Sequence, residues 1–191
     1  DMTRIISGLA GSIKLASPAK VTRPTSDRIR ESIFAMLESR DLIEGASVLD
    51  LYAGTGALAL EAVSRGASRA VMVERDGKAA AVCVANLKSV QKSLEKADVE
   101  ANIRVVNKSC QSFVANVSPG EYSLVFIDPP YEVSNSEVET ILKALAPSLS
   151  PQATVVLERS SRGEKPNLEP EYELKETKNY GDTVVYWLTI A

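Results

Sequence analysis

The chain has 191 residues, 45% hydrophobic and 25% charged, with a net charge of −3, the composition of a soluble globular domain long enough to bury a core of its own. It carries two cysteines, Cys83 and Cys110, and no histidine, which excludes Ser–His and Cys–His nucleophilic chemistry and leaves little material for a zinc site, so no metal is expected. No apolar run approaches the roughly 18 residues of a membrane span and no leader-like h-region opens the chain, from which a cytoplasmic protein with no membrane partner is expected.

Residues 2–30 are basic within an acidic whole. Arg4, Lys14, Lys20, Arg23, Arg28 and Arg30 face only Asp27 there, a distribution that attracts a polyanion to one side of a molecule. Arg4–Ile6 and Ser12–Leu15, separated by Gly8 and Gly11, predict a short hairpin, and Pro18–Pro24 an extended link. A helix is predicted from Thr25-Ser26-Asp27, whose side chains can cap it, with Ile29, Ile33, Met36 and Leu37 at helical spacing. Arg28 and Arg30 fall off that stripe, which leaves them to face solvent or a ligand.

From Ser47 the pattern alternates strand and helix. Ser47–Tyr52 precedes a helix over Ala57–Arg65, Ala70–Glu74 precedes Gly77–Leu94, and Ile103–Asn107 precedes Cys110–Val117. Tyr122–Asp128 then leads to Ser136–Ala146, and Thr154–Glu158 supplies a fifth strand. Short apolar strands between amphipathic helices predict a parallel sheet covered on both faces. Tyr172–Lys178 and Thr183–Ile190 flank Asn179-Tyr180-Gly181-Asp182 and predict a closing antiparallel hairpin, while Ser160–Pro170 predicts a flexible loop.

In such a sheet ligands bind beyond the carboxyl ends of the strands, where strand order reverses. The loop Asp50-Leu51-Tyr52-Ala53-Gly54-Thr55-Gly56 follows the first strand of the alternation, and its glycines let backbone approach a ligand. Gly54 to Ala59 also satisfies the G-x-G-x-x-A dinucleotide fingerprint, with Glu74 placed to bind a ribose, so the loop by itself fits NAD and S-adenosylmethionine alike. Asp50 favours the second, because a carboxylate there repels a pyrophosphate and suits a cationic sulfonium amino acid.

The second loop, Asp128-Pro129-Pro130-Tyr131, follows the strand expected to neighbour the first. Its prolines fix the backbone, so that the Asp128 carboxylate and the Pro129 carbonyl stand as paired acceptors and Tyr131 offers a ring for a base to stack on. An exocyclic amine conjugated to a purine is a poor nucleophile. Hydrogen bonds from its N–H groups to two fixed acceptors draw it toward tetrahedral geometry, and no strong base is needed.

Taken together, Arg23-Pro-Thr-Ser-Asp-Arg-Ile-Arg-Glu31 with Phe34, Asp50-Leu-Tyr-Ala-Gly-Thr-Gly-Ala-Leu58 with Glu61 and Arg65-Gly66, Glu74, Asp128-Pro-Pro-Tyr131 and Tyr180-Gly-Asp-Thr183 resemble the RsmD family. These are methyltransferases acting on the exocyclic N2 of a guanine in small-subunit (16S) ribosomal RNA. The resemblance, from Arg4 to about Leu188, implies a class I (Rossmann-like) S-adenosylmethionine-dependent methyltransferase fold. Its α/β sheet would have seven mostly parallel strands with an antiparallel last strand, preceded by an N-terminal hairpin and helix extension.

It implies a basic hairpin extension over 1–24 and a methyltransferase domain over 25–191. The expected catalytic residues are Asp128, Pro129 and Tyr131. The expected cofactor residues are Asp50, Ala53, Gly54, Gly56 and Glu74, with Ser109 and Cys110 at the adenine, where relatives commonly carry Asp or Asn. Lys14, Lys20, Arg23, Arg28 and Arg30 are expected to hold 16S ribosomal RNA or a small-subunit assembly particle. DNA adenine-N6 methylation with the same clamp is an alternative, disfavoured by the acidic chain and the lack of a separate recognition domain. A non-catalytic RNA-binding module is a second, disfavoured because such a module has no need of Asp128.

Overall fold

The computed structural model describes residues 3–17 and 26–191. Lys20 and Arg23, two of the expected RNA contacts, and the link Pro18–Pro24 lie outside the described residues. The chain opens with two short paired strands, β1 (Thr3–Arg4) and β2 (Lys14–Leu15), followed by α1 (Asp27–Ser39). Ser26 caps α1 by accepting from the Ile29 N–H at 3.2 Å. Ile29, Ile33, Phe34 and Leu37 then form its buried stripe.

The alternating part comprises β3 (Ser47–Leu51), α2 (Ala57–Ser64), β4 (Arg69–Val73), α3 (Gly77–Lys96), β5 (Asn102–Val106), α4 (Cys110–Val114), β6 (Tyr122–Ile127), α5 (Asn135–Leu145), β7 (Leu149–Ser160), β8 (Tyr172–Tyr180) and β9 (Thr183–Ile190). The last seven strands form one sheet in the order β5-β4-β3-β6-β7-β9-β8, with β9 antiparallel to both its neighbours. Successive strand residues face opposite sides, and both sides are apolar. Val48, Leu124 and Phe126 join the core under α1, α2 and α3. Leu49, Val125 and Ile127 join the core under α4 and α5.

Strand β7 is longer than the apolar run over Thr154–Glu158. It begins at Leu149, which pairs with Tyr122 before a register shift, and its end is extended by pairing of Arg159 and Ser160 with Val184 and Thr183 of β9. The segment 161–171 is irregular, as expected, but it is tied down. The Asn167 N–H donates to Glu139 at 2.8 Å, Asn135 donates to the Glu164 carbonyl at 2.7 Å, and Leu168 is buried.

The described part of the N-terminal extension, residues 3–17, packs against the main body. Ile5, Ala10 and Leu15 belong to the same buried cluster as α1 and α2. Glu61 of α2, fully buried, accepts from the backbone N–H groups of Ile6 and Ser7 at 2.7 and 3.0 Å, and Ser64 binds Ser7 and Ala10. Arg30 also belongs to this junction, which corrects its expected exposure. It is 1% exposed, donates to the Arg4 carbonyl at 2.6 Å and to Asp27 at 3.0 Å, and lies 4.0 Å from Glu61. The hairpin covers the flank of α1 that the apolar stripe leaves open, and the guanidinium fills the seam. Among the described residues no helix is long and apolar enough to cross a membrane.

Candidate active site

Strand order reverses between β3 and β6, the point at which an open α/β sheet leaves a crevice for a ligand. The two strands run parallel with Asp50 opposite Phe126 and Leu51 opposite Ile127, so the glycine loop and the Asp128 loop leave the sheet side by side. That register joins motifs far apart in the chain.

The glycine loop is held by backbone bonds. The Ala53 N–H donates to the Val73 carbonyl at 3.0 Å and the Gly56 N–H to the Ala53 carbonyl at 2.8 Å. Gly54 has a φ of 56° and a side chain there would meet nothing within 4 Å, so its backbone stands open to a ligand. Gly56 is closed: its φ is 81°, and a Cβ would come 2.8 Å from the Met72 sulfur and 2.9 Å from that of Cys83. The first glycine leaves room for an incoming group and the second lets α2 begin against β4.

Glu74, just beyond β4, spans the loop. One carboxylate oxygen accepts from the Gly54 N–H at 2.9 Å and the other from the Asp76 N–H at 2.8 Å. Asn107 braces it from beyond β5, its amide donating to the Glu74 and Arg75 carbonyls at 2.9 Å each. Sequence reasoning missed Asn107, although an Asn directly after the third parallel strand was a legible signal. Asp50 is buried, with its carboxylate accepting from the Ala59 N–H in the first turn of α2 at 3.1 Å. Burial holds its pKa well above the usual carboxylate range, opposed by the Ala59 bond and reinforced by the charges of Asp128 and Glu74. The three carboxylates therefore share one electrostatic environment, and a cation entering it relieves their repulsion.

The side chains of Ser109 and Cys110, expected at the adenine, both have partners within the protein. The Ser109 hydroxyl caps α4, accepting from the Ser112 N–H at 3.1 Å. The Cys110 thiol is packed into the core, where burial pushes its pKa up to about 12, offset in part by a bond to the Tyr52 backbone. An apolar neighbourhood favours the small, weakly polar thiol, so the side chain turns inward.

Across the switch point, Asp128 is half-buried, Pro129 buried and Tyr131 49% exposed. The loop is fixed from its far side by Arg159 at the end of β7, which donates to the Val133 carbonyl at 2.8 Å and, through two nitrogens, to the Asn135 side chain at 2.9 and 3.2 Å. The Tyr52 hydroxyl, on a residue with φ of 61°, donates to Glu137 of α5 at 2.5 Å and so ties the glycine loop to the helix behind the clamp. Neither Arg159 nor Glu137 was legible as a site residue, since each acts on a loop distant in sequence. Beside Tyr131 an open groove of about 630 Å³ is lined by Asn135, Arg159, Arg162, Glu164 and Asp182. Of the basic residues expected to hold RNA, Lys14 and Arg28 are exposed.

This strand order, the glycine turn with an acidic residue after the next strand, and the proline-fixed loop across the reversal define a class I methyltransferase fold. A family model described as Conserved hypothetical protein 95 matches residues 3–189. Ribosomal RNA small subunit methyltransferase D of Escherichia coli K12 is 38% identical over 129 residues, 67% of this chain and 60% of that protein's length. The protein of the same name from Haemophilus influenzae is 32% identical over 170 residues, 88% of this chain and 83% of that one. The solved structure of yhhF from E. coli covers 100% of this chain and 98% of its own, with a TM-score of 0.80 and 30% identity. Magnesium protoporphyrin IX methyltransferase from Synechocystis, solved with bound SAM, shares the fold alone, at a TM-score of 0.63 and 15% identity. The chain belongs to the matched family, that of the RsmD methyltransferases.

Proposed function

We propose that this protein transfers a methyl group from S-adenosylmethionine to the exocyclic N2 amine of a guanine in 16S ribosomal RNA. The observation that carries the reading is the pairing of β3 with β6, which sets the open Gly54 backbone and the buried Asp50 beside Asp128-Pro-Pro-Tyr131. The names of the relatives support ribosomal RNA as substrate, and a ribosomal substrate goes with a cytoplasmic protein.

The residues present fit the cofactor. Glu74 would hold the ribose hydroxyls, because a carboxylate keeps acceptor capacity beyond the two N–H groups it already binds. Asp50 would complement the cationic amino-acid end, and Gly54 would receive it against bare backbone. S-adenosylmethionine supplies an electrophilic methyl group on a positively charged sulfur.

The chain's own part is to make the amine reactive. Asp128 and the Pro129 carbonyl would each accept an N–H of the guanine amine, turning its lone pair out of conjugation and toward the methyl group. As the new N–C bond forms, positive charge grows on nitrogen and strengthens the bond to Asp128, so the stabilisation is greatest in the transition state. With the methyl–sulfur bonding pair retained by the cofactor's sulfur, the amine would become cationic and acidic and would pass one proton to the Asp128 carboxylate beside it, and from there to solvent. Tyr131, half in solvent, would stack on the flipped base.

Incubating the purified protein with methyl-labelled S-adenosylmethionine and either protein-free 16S RNA or small-subunit particles, then digesting to nucleosides, tests the reading. The expected product is N2-methylguanosine. Label on adenine N6 in a DNA control, or no transfer to any RNA, would overturn it.

A further inference from the structure

Asn86 belongs to none of the motifs and stands outside the site described above, buried in α3 at 2% exposure. Its carboxamide is fully engaged with backbone from two separate segments. The side-chain oxygen accepts from the Ala16 N–H at 2.7 Å, and the side-chain nitrogen donates to the Ala16 carbonyl at 3.0 Å and to the Thr55 carbonyl at 2.8 Å. It pairs with both polar groups of Ala16 as a neighbouring strand would, and with its remaining N–H it holds the middle of the glycine turn.

These two segments belong to different ligands. Thr55 lies between Gly54 and Gly56, and the Gly54 N–H rests on the Glu74 oxygen to which a ribose would bind. Ala16 follows β2 with its exposed Lys14, and the sequence after it carries Lys20 and Arg23. A ribose hydroxyl that joins the Gly54 N–H on the same carboxylate draws on its charge and loosens that bond without displacing it, which lets the turn shift. A shift of the turn reaches Thr55, then the single amide it shares with Ala16. A buried amide deprived of one partner must recover another, because an unsatisfied polar group there is costly, so the two segments cannot adjust independently.

We propose that Asn86 is a positioning residue that couples the cofactor site to the basic N-terminal arm, so that occupancy of the cofactor site tightens the grip on RNA. The inference rests on the cofactor and RNA roles proposed above. Its signature is a ratio: the affinity for RNA with S-adenosylhomocysteine bound, divided by the affinity without it. Coupling through such a contact is of the order of tenfold, and it is reciprocal.

The test uses the full chain and protein-free 16S RNA. Calorimetry first measures S-adenosylhomocysteine binding, and RNA affinity is then measured with and without saturating S-adenosylhomocysteine. The wild type is expected to bind RNA about tenfold more tightly in its presence. Asn86→Asp keeps the acceptor for Ala16 and removes both donated bonds, and it should bring the ratio to about one. A purely structural role would lower both affinities and leave the ratio intact, which would overturn the proposal, as would a ratio of one in the wild type. Hydrogen exchange on the wild type guards against a variant that fails to fold: the Ala16 amide should exchange more slowly when S-adenosylhomocysteine is added, and unchanged exchange would also overturn it. Failure of S-adenosylhomocysteine to bind at all would instead remove the cofactor reading, and the coupling with it.

Discussion

The two halves of the sheet meet at the same crevice but are built by different means. On the β3-β4-β5 side, the loops are held by backbone bonds and by carboxylates that accept backbone N–H groups: Glu74 on Gly54 and Asp76, Asp50 on Ala59. On the β6-β7-β9-β8 side, side chains from the rim do the holding, with Arg159 on Val133 and Asn135 and an exposed Tyr131. A half made of backbone and buried charge suits a ligand that is always the same. A half made of long side chains around an open groove suits a polymer whose backbone must be admitted and released. Substitutions on the first side should therefore act on cofactor binding and stability, and those on the second on turnover and RNA.

The largest effect is expected at Asp128. Asp128→Asn keeps the shape and replaces an anionic acceptor with a neutral amide, so single-turnover methylation should slow by about 10²-fold or more while S-adenosylhomocysteine affinity changes little. Near-normal chemistry would show that this loop only shapes the crevice, and the division between the halves would fail.

Arg30 and its neighbours on the arm divide in the same way. Arg30→Ala should cost about 2 kcal/mol of stability, the scale of a buried hydrogen bond to a charged group, read as a lowered Tm. Charge reversal at the exposed Lys14 and Arg28 should leave Tm unchanged and make RNA binding less sensitive to salt, by about one unit of log–log slope for each phosphate no longer neutralised. A salt slope that responds to Arg30 and not to Lys14 or Arg28 would reverse this assignment.

Tyr131→Ala should weaken RNA capture by about 1–3 kcal/mol, the value of one base–aromatic stack, appearing in KM for RNA ahead of the single-turnover rate. An unchanged KM would remove the ring from the substrate side.

The smallest effect, and the one that tests the cofactor half, is a pH dependence. Asp50 has its folded pKa raised, so between the ordinary carboxylate range and that raised value the folded state binds more protons than the unfolded one. Stability of the ligand-free protein should fall as pH rises through that window, and Asp50→Asn should flatten the fall. A cation bound beside Asp50 favours the ionised form, so affinity for S-adenosylmethionine should rise with pH there, by at most about tenfold per pH unit for one proton. Calorimetry across the window checks the slope; an affinity that falls with pH would exclude Asp50 as the complement of the positive charge.

The strand–helix alternation from Ser47 onward was legible because strands buried on both faces read as short continuous apolar runs, while helices buried on one face leave a period of 3.6 in the chain itself. The glycine turn and the Asp128-Pro-Pro-Tyr131 loop were legible for a similar reason: positive φ and fixed φ demand particular residues locally. What covers an element leaves no such mark. Arg30 lies off the apolar stripe of α1, as periodicity has it, yet it is buried because a hairpin from 26 residues earlier packs over it. Ser109 and Cys110 stand after the third parallel strand, and only the packed structure adds that the first caps α4 and the second is buried. Tyr52 with Glu137, and Asn86 with Ala16 and Thr55, join segments up to 85 residues apart, and nothing in either partner's neighbours announces the other. Local propensity and solvent preference are properties the chain carries at each residue. That the glycine loop and the Asp128 loop share one crevice was decided by the reversal of strand order between β3 and β6, which only the packed sheet supplies.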